Sequence, residues 1–258
     1  MNTPTASAHD DELVRLQETL YTSKNSTRRW LHCSRRDWII NALQRCAPFN
    51  GNGKALEVGP GSGIYLPTLA KLYAQVVASD IQAAYLQHAE PMRAQYPNLS
   101  FLVDDITASQ FEDASYDLIL CTEVIEHIHD SVTALKEMRR ILKPGGILVL
   151  STPQRYSPLE LTAKIAFLPG IIDVVKLIYR EPILETGHIN LLTARQVREQ
   201  LSEAGFSVRE AYKCGMYLPV VAEFMGGVGL CLEQWLERVL RDGPADGVLW
   251  TQFYIATH

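Results

Sequence analysis

Cysteine is sparse and unpaired in this sequence: Cys33, Cys46, Cys121, Cys214 and Cys231 are odd in number and form no C-x-x-C pair. That leaves neither a disulfide framework nor a paired-thiolate zinc motif, and it suits a reduced, intracellular protein. No run of 18 or more apolar residues occurs, so no segment reads as a bilayer span. A basic excess is missing as well. Lys and Arg number 24 against 29 Asp and Glu, for a net charge of −5 and a pI near 5.8, which argues against a nucleic-acid partner. The opening MNTPTASAHDDE is polar and acidic, unlike a secretory leader. A cytoplasmic location is therefore expected. What is present is ordinary for a globular enzyme: 47% hydrophobic and 21% charged residues in 258, enough for one sizeable core.

Residues 1–10 read as an unstructured lead-in. From Asp11 to Ala47 the pattern is helical, with Leu13, Leu16 and Leu20 followed by Trp30, Leu31, Trp38, Ile39, Ile40 and Leu43. Residues 1–50 are thus expected as a helical extension or lid, and 51–258 as the main domain. After the loop-like stretch Pro48–Gly53 comes a regular alternation. Strand-like runs at 55–58, 75–80, 99–103, 116–121 and 146–151 alternate with helical stretches at 65–74, 83–95 and 131–142. Short apolar strands separated by helices signal βαβ units and a parallel sheet covered on both faces. Lys143-Pro144-Gly145-Gly146 ends a helix and turns into a strand. An apolar, partly amphipathic insertion over about 155–187 interrupts the pattern. A capped helix from Thr193 to Ala204, a strand from Phe206, a helical piece from Phe224 to Leu240 and a last strand complete it.

The strongest motif is Leu56-Glu57-Val58-Gly59-Pro60-Gly61-Ser62-Gly63, a strand entering a glycine-rich turn ahead of a helix. Glycines open backbone angles closed to other residues and keep side chains out of a ligand's path. Such a turn lets a nucleotide-like cofactor touch backbone amides at a strand's carboxyl end. A dinucleotide fingerprint, G-x-G-x-x-G, would place its third glycine at position 64, which is Ile64; here the third is Gly63.

This G-x-G-x-G turn after an acid resembles the first motif of class I S-adenosylmethionine-dependent methyltransferases. Asp80 ends the second strand, 21 residues after Gly59, with Ile81 next; Asp105-Ile106 follows the third; YDLILCTEVIEHIHD and LKPGGILVLSTP resemble the fourth and fifth motifs. The resemblance covers about 100 residues in the family's order. It implies a Rossmann-like α/β fold with a mostly parallel seven-stranded sheet, strand order 3-2-1-4-5-7-6, the last strand antiparallel, and helices on both faces. It also implies S-adenosylmethionine as cofactor and S-adenosylhomocysteine as product. Glu57, Gly59, Gly61, Gly63, Asp80, Ile81, Asp105, Ile106 and Thr122 would bind the cofactor. In the family the carboxylate at Asp80 holds both ribose hydroxyls, as suits an acceptor-only group.

Glu123-Val124-Ile125-Glu126-His127 follows the fourth strand. On a helix, Glu123, Glu126 and His127 would share one face. Two carboxylates and an imidazole suit Mg²⁺, Mn²⁺ or Zn²⁺. The stretch resembles E-x-x-E-H in ubiquinone-biosynthesis O-methyltransferases and in small-RNA 2′-O-methyltransferases, where these residues are tied to a divalent metal. His188 returns after the insertion as a further candidate ligand. Without a metal, Glu126, His127 and His188 are candidates for acid–base work, or else His127 and Glu126 are hydrogen-bonded structural residues.

Lys24, Arg28, Arg29, Arg35, Arg36 and Arg45 stand against Asp37 alone, a local balance of +5. Arg28, Arg29, Arg35 and Arg36, interleaved with Trp30 and Trp38, are either a lid gripping an anionic substrate or a solvated helix face. The insertion suggests a hydrophobic or aromatic acceptor and, through residues 159–183, either peripheral membrane contact or plain packing of Leu161, Ile165, Ile171, Val174, Leu177 and Ile178 against the body. The expected function is methyl transfer to a small, partly hydrophobic or aromatic molecule, with oxygen favoured as acceptor and no nucleic acid involved. RNA 2′-O-methylation with a metal, a nicotinamide-dependent oxidoreductase and a non-catalytic cofactor binder are the alternatives.

Overall fold

The computed structural model describes residues 19–48, 51–166 and 188–258. The expectations for the lead-in, for Leu13 and Leu16, and for residues 167–187 of the insertion lie outside these residues.

Seven strands, β1 (Lys54–Val58), β2 (Gln75–Asp80), β3 (Leu99–Val103), β4 (Tyr116–Thr122), β5 (Leu142–Pro153), β6 (Ser207–Cys214) and β7 (Thr251–Thr257), form one sheet. Their order is β3-β2-β1-β4-β5-β7-β6. The pairs from β3 to β5 are parallel, while β7 runs antiparallel to both β5 and β6. This is the Rossmann-like methyltransferase fold.

Period-two alternation explains why the central strands are apolar throughout. In β4, Leu118 and Leu120 join the cluster holding Ile39, Leu43 and Leu66, whereas Ile119 and Cys121 join that of Leu135, Met138 and Val197. Both sheet faces are covered, so both sets of side chains are buried. Each such leucine contributes about 1.5–3 kcal/mol relative to exposure.

The covering helices fall on the two sides. On one lie α1 (Ser26–Cys46), α2 (Leu66–Leu72) and α3 (Ala83–Ala89). On the other lie α4 (Ser131–Ile141) and α6 (Ala194–Glu203); α5 (Pro158–Ala166) leads into the insertion, and α7 (Pro219–Phe224) and α8 (Gly226–Leu240) precede β7. Their ends follow local chemistry. Asn25 caps α1 by accepting the Thr27 and Arg28 amides, and extended Ala47, ahead of Pro48, ends it. Thr193 and Gln196 form a reciprocal capping box on α6, and Gly205 follows with φ +87°.

Three boundaries differ from expectation. The stretch 83–95 is helical only to Ala89 and continues as a 3-10 turn, Glu90–Ala94, because Pro91 cannot sit inside an α-helix. The helical piece before β7 is split at Met225, where Gly226 takes φ +50°. Lys143–Gly146 does not precede β5 but lies inside it, as an irregularity between the pairs Tyr116–Leu142 and Leu118–Ile147.

The order places β1 and β4 side by side where the direction of winding reverses. Ligands of open α/β sheets bind in the crevice outside the carboxyl ends at such a point.

Candidate active site

The turn after β1 is built for close approach. Gly59, Gly61 and Gly63 have φ of +67°, +52° and +72°. A Cβ on Gly59 would come within 2.5 Å of Val124 Cγ2, so the turns after β1 and β4 abut and only glycine fits. The Gly59 amide donates to the Ser79 carbonyl at 2.8 Å, tying the turn to β2.

Glu57, one pair of residues back, is buried with neither carboxyl oxygen hydrogen-bonded. Burial pushes it up to about 8. A buried acceptor pair without donors is what an incoming amine would satisfy. Asp80 closes β2, its Oδ1 accepting the Gln82 amide at 2.8 Å, and burial raises its carboxyl. Ile81, 63% exposed, stands beside it. Thr122 ends β4, paired with Ser151. These residues fit S-adenosylmethionine: a side-chain-free turn, an orphaned acid and a carboxylate at the end of β2.

The residues after β3 divide differently from expectation. Asp105 is exposed and its Oδ1 accepts from the Thr107 amide and hydroxyl, while Ile106 is buried in the core cluster. Ile106 thereby anchors this loop in the core. Asp104, passed over in the sequence, is buried, bonds the Gln110 amide with one oxygen and has no partner at the other.

Glu57 makes stability depend on pH. Its folded pKa lies above the ordinary carboxyl value, so the stabilisation from holding the proton is complete below about pH 4.5 and is lost as pH rises through about 8. Within that window the slope is about 1.4 kcal/mol per pH unit. Thermal melts of the ligand-free chain at pH 6, 7 and 8 should therefore fall more steeply than those of Glu57→Gln. Parallel curves would mean that Glu57 is ionised.

After β4 no α-helix forms. Glu123 takes φ +55° and a 3-10 turn, Ile125–His127, follows. The turn breaks the shared helical face. Glu123 instead pairs with Arg35 at 2.8 Å and accepts the Ser151 hydroxyl at 2.8 Å, leaving the other ligand-type groups to each other.

Glu126 is fully buried. Its Oε2 accepts the Thr152 hydroxyl at 2.9 Å and its Oε1 has no partner. Burial and the Glu123 carboxylate push it well above the usual range. The Ile189 and Asn190 amides both donate to the Glu126 carbonyl, and the Asn190 side chain donates to the Ile128 carbonyl. That docking brings His188 to His127, ring centroids 5.2 Å apart. Glu126, His127 and His188 each offer a ligand-type atom, all within 4.8 Å of one another. His188 Nδ1 lies 3.1 Å from Oε2 of the buried Glu160. Sequence reasoning missed Glu160, the first-turn acid of α5; no local pattern sets it apart from the segment's other charges, such as Lys164.

The arginines of α1 do not form an open anion grip. Arg28 pairs with Glu223, Arg35 with Glu123, Arg36 with Asp37 and Arg45 with Glu210, while Arg29 donates to the Ser23 carbonyl. Burial opposes the Arg35 charge, but Glu123 and Tyr21 outweigh it. Trp38 stacks on Tyr212 and lies tilted against Phe253, a packing role.

Residues 29–211 match the model of the methyltransferase domain family. A probable S-adenosylmethionine-dependent methyltransferase of Mycolicibacterium smegmatis is 29% identical over 79% of this chain and 71% of its own length. A ubiquinone biosynthesis O-methyltransferase of Albidiferax ferrireducens is 32% identical over 47% of each chain, so the likeness spans less than half of that enzyme. A SAM-dependent methyltransferase structure from Aquifex aeolicus superposes with TM-score 0.56 at 14% identity, covering 96% and 97% of the two chains. The fold and the glycine turn define a class I methyltransferase. The chain belongs to the methyltransferase domain family and is an S-adenosylmethionine-dependent enzyme.

Proposed function

We propose that the enzyme methylates a hydroxyl of a small, partly hydrophobic or aromatic acceptor, releasing S-adenosylhomocysteine, with His188 as the base. The observation that carries this is the Glu160–His188 pair docked against His127 and Glu126. S-adenosylmethionine supplies a methyl group already activated by its sulfonium. The chain's task is to align the acceptor, exclude water and take the hydroxyl proton. A carboxylate accepting from Nδ1–H fixes the tautomer and leaves Nε2 as the proton acceptor. Glu57, the glycine turn, Asp80, Ile81, Asp105, Ile106 and Thr122 would hold the cofactor. Half-exposed Tyr156, Leu161 and Ile189 offer apolar surface nearby in the chain. In this reading residues 1–50 act as a lid, with Arg35 bracing Glu123. No helix among the described residues is long and apolar enough to cross a membrane, and a cytoplasmic setting is part of the proposal.

A second reading is favoured by the convergence of Glu126, His127 and His188 and by the orphaned Glu126 Oε1. These donors fit a divalent cation, with Glu160 then orienting His188 from behind. Such an ion would act as a Lewis acid on the acceptor hydroxyl. Turnover of a panel of hydrophobic phenols with and without a chelator separates the two. Undiminished methyl transfer in chelator is the expected result. Loss of activity restored by Mg²⁺ or Mn²⁺ would move the proton-acidifying role to the metal.

A further inference from the structure

Helix α8 is built inside out. Its acids point inward: Glu233 is fully buried, accepting from the Thr27 hydroxyl at 2.6 Å and the Leu218 amide at 2.7 Å. Glu237 accepts the Gly215 amide at 2.6 Å and pairs with Arg241. One row of its apolar residues points outward. Val228 (70% exposed), Leu232, Trp235 (53%) and Val239 recur at i, i+4, i+7 and i+11, one face of a helix. On α7, Val220 and Phe224, both about 70% exposed, continue the stripe.

Exposed apolar patches of this extent mark interaction sites, and charge selects the partner. None of the exposed residues from Val220 to Val239 is acidic, and Arg238 is among them, in a chain of net charge −5. The first exposed carboxylate is Asp242, past the helix end. At the α7 end the start of α1 is docked, Asn25 donating to the Ala222 carbonyl, and it presents exposed Lys24 and Arg29. The surface is thus an acid-free apolar stripe with a tryptophan and cations along it, the chemistry of a helix lying in a lipid headgroup layer.

We propose that the α7–α8 face docks the enzyme on an anionic bilayer surface. This does not depend on the acceptor or on His188. It places the contact outside residues 159–183, the stretch where sequence alone suggested it.

The full chain should float with vesicles of phosphatidylcholine and phosphatidylglycerol, and less with phosphatidylcholine alone or at high salt. A variant carrying Leu232→Ser and Trp235→Ser should lose roughly tenfold or more in vesicle affinity. Its melting temperature should fall by only about a few degrees, because Leu232 is 37% and Trp235 53% exposed and neither belongs to a buried core cluster. Flotation unaffected by the variant would overturn the proposal. So would a dimer that the variant dissociates, showing that a second copy covers the stripe. A monomer that does not float would overturn it too.

Discussion

His188→Ala should lower kcat on a phenolic acceptor by about 10²–10⁴-fold, the usual contribution of a positioned base. S-adenosylmethionine affinity should stay within a few-fold, because His188 reaches Glu160 and His127 and not the glycine turn. Glu160→Gln should lower kcat less, at unchanged cofactor affinity, since the imidazole then loses a charged partner but keeps a hydrogen-bonding one. Steady-state kinetics with calorimetry of cofactor binding reads both quantities. If His188→Ala retains turnover, alignment alone drives transfer and the Glu160–His188 pair is structural. If Glu160→Gln changes the melting temperature but not kcat, Glu160 is a buried anchor of α5 and not a positioning residue.

Asp80→Ala should weaken S-adenosylmethionine binding by roughly tenfold to hundredfold, because hydrogen bonds to a charged acceptor contribute about 1.5–3 kcal/mol. The carboxylate also accepts the Gln82 amide, so part of the loss would come through the local turn. Asp80→Asn separates the two contributions, keeping an acceptor for Gln82 while removing the charge. Unchanged calorimetric affinity in both variants would mean that the ribose lies elsewhere, and Asp104, with its unpartnered buried oxygen, would be the next carboxylate to test.

Local chemistry made much of this molecule legible from its residues. The alternation of apolar strands with helices is enforced by a two-faced sheet, as Leu118 and Ile119 show by entering opposite cores. The α6 boundaries could be read because Thr193, Gln196 and Gly205 act within a few residues of one another. The glycine turn could be read because its backbone angles restrict the residue type. Pro91 was a local signal too, and its cost inside a helix explains the break after Ala89.

The sequence by itself determined the sheet, the glycine turn and the enzyme class, since these rest on periodicity and on residues with few permitted conformations. Only the tertiary structure decided how the charged groups are shared out. Glu123, Glu126 and His127 are adjacent in sequence, yet Glu123 adopts φ +55° and pairs with Arg35 from α1, which no local pattern announces. Glu160 and His188 meet across 28 residues because the Ile189 and Asn190 amides dock on the Glu126 carbonyl. Likewise the orientation of α8, acids inward and tryptophan outward, is set by Thr27 and by the Gly215 and Leu218 amides. A buried carboxylate goes where donors are, and donors distant in sequence become neighbours only once the chain is folded.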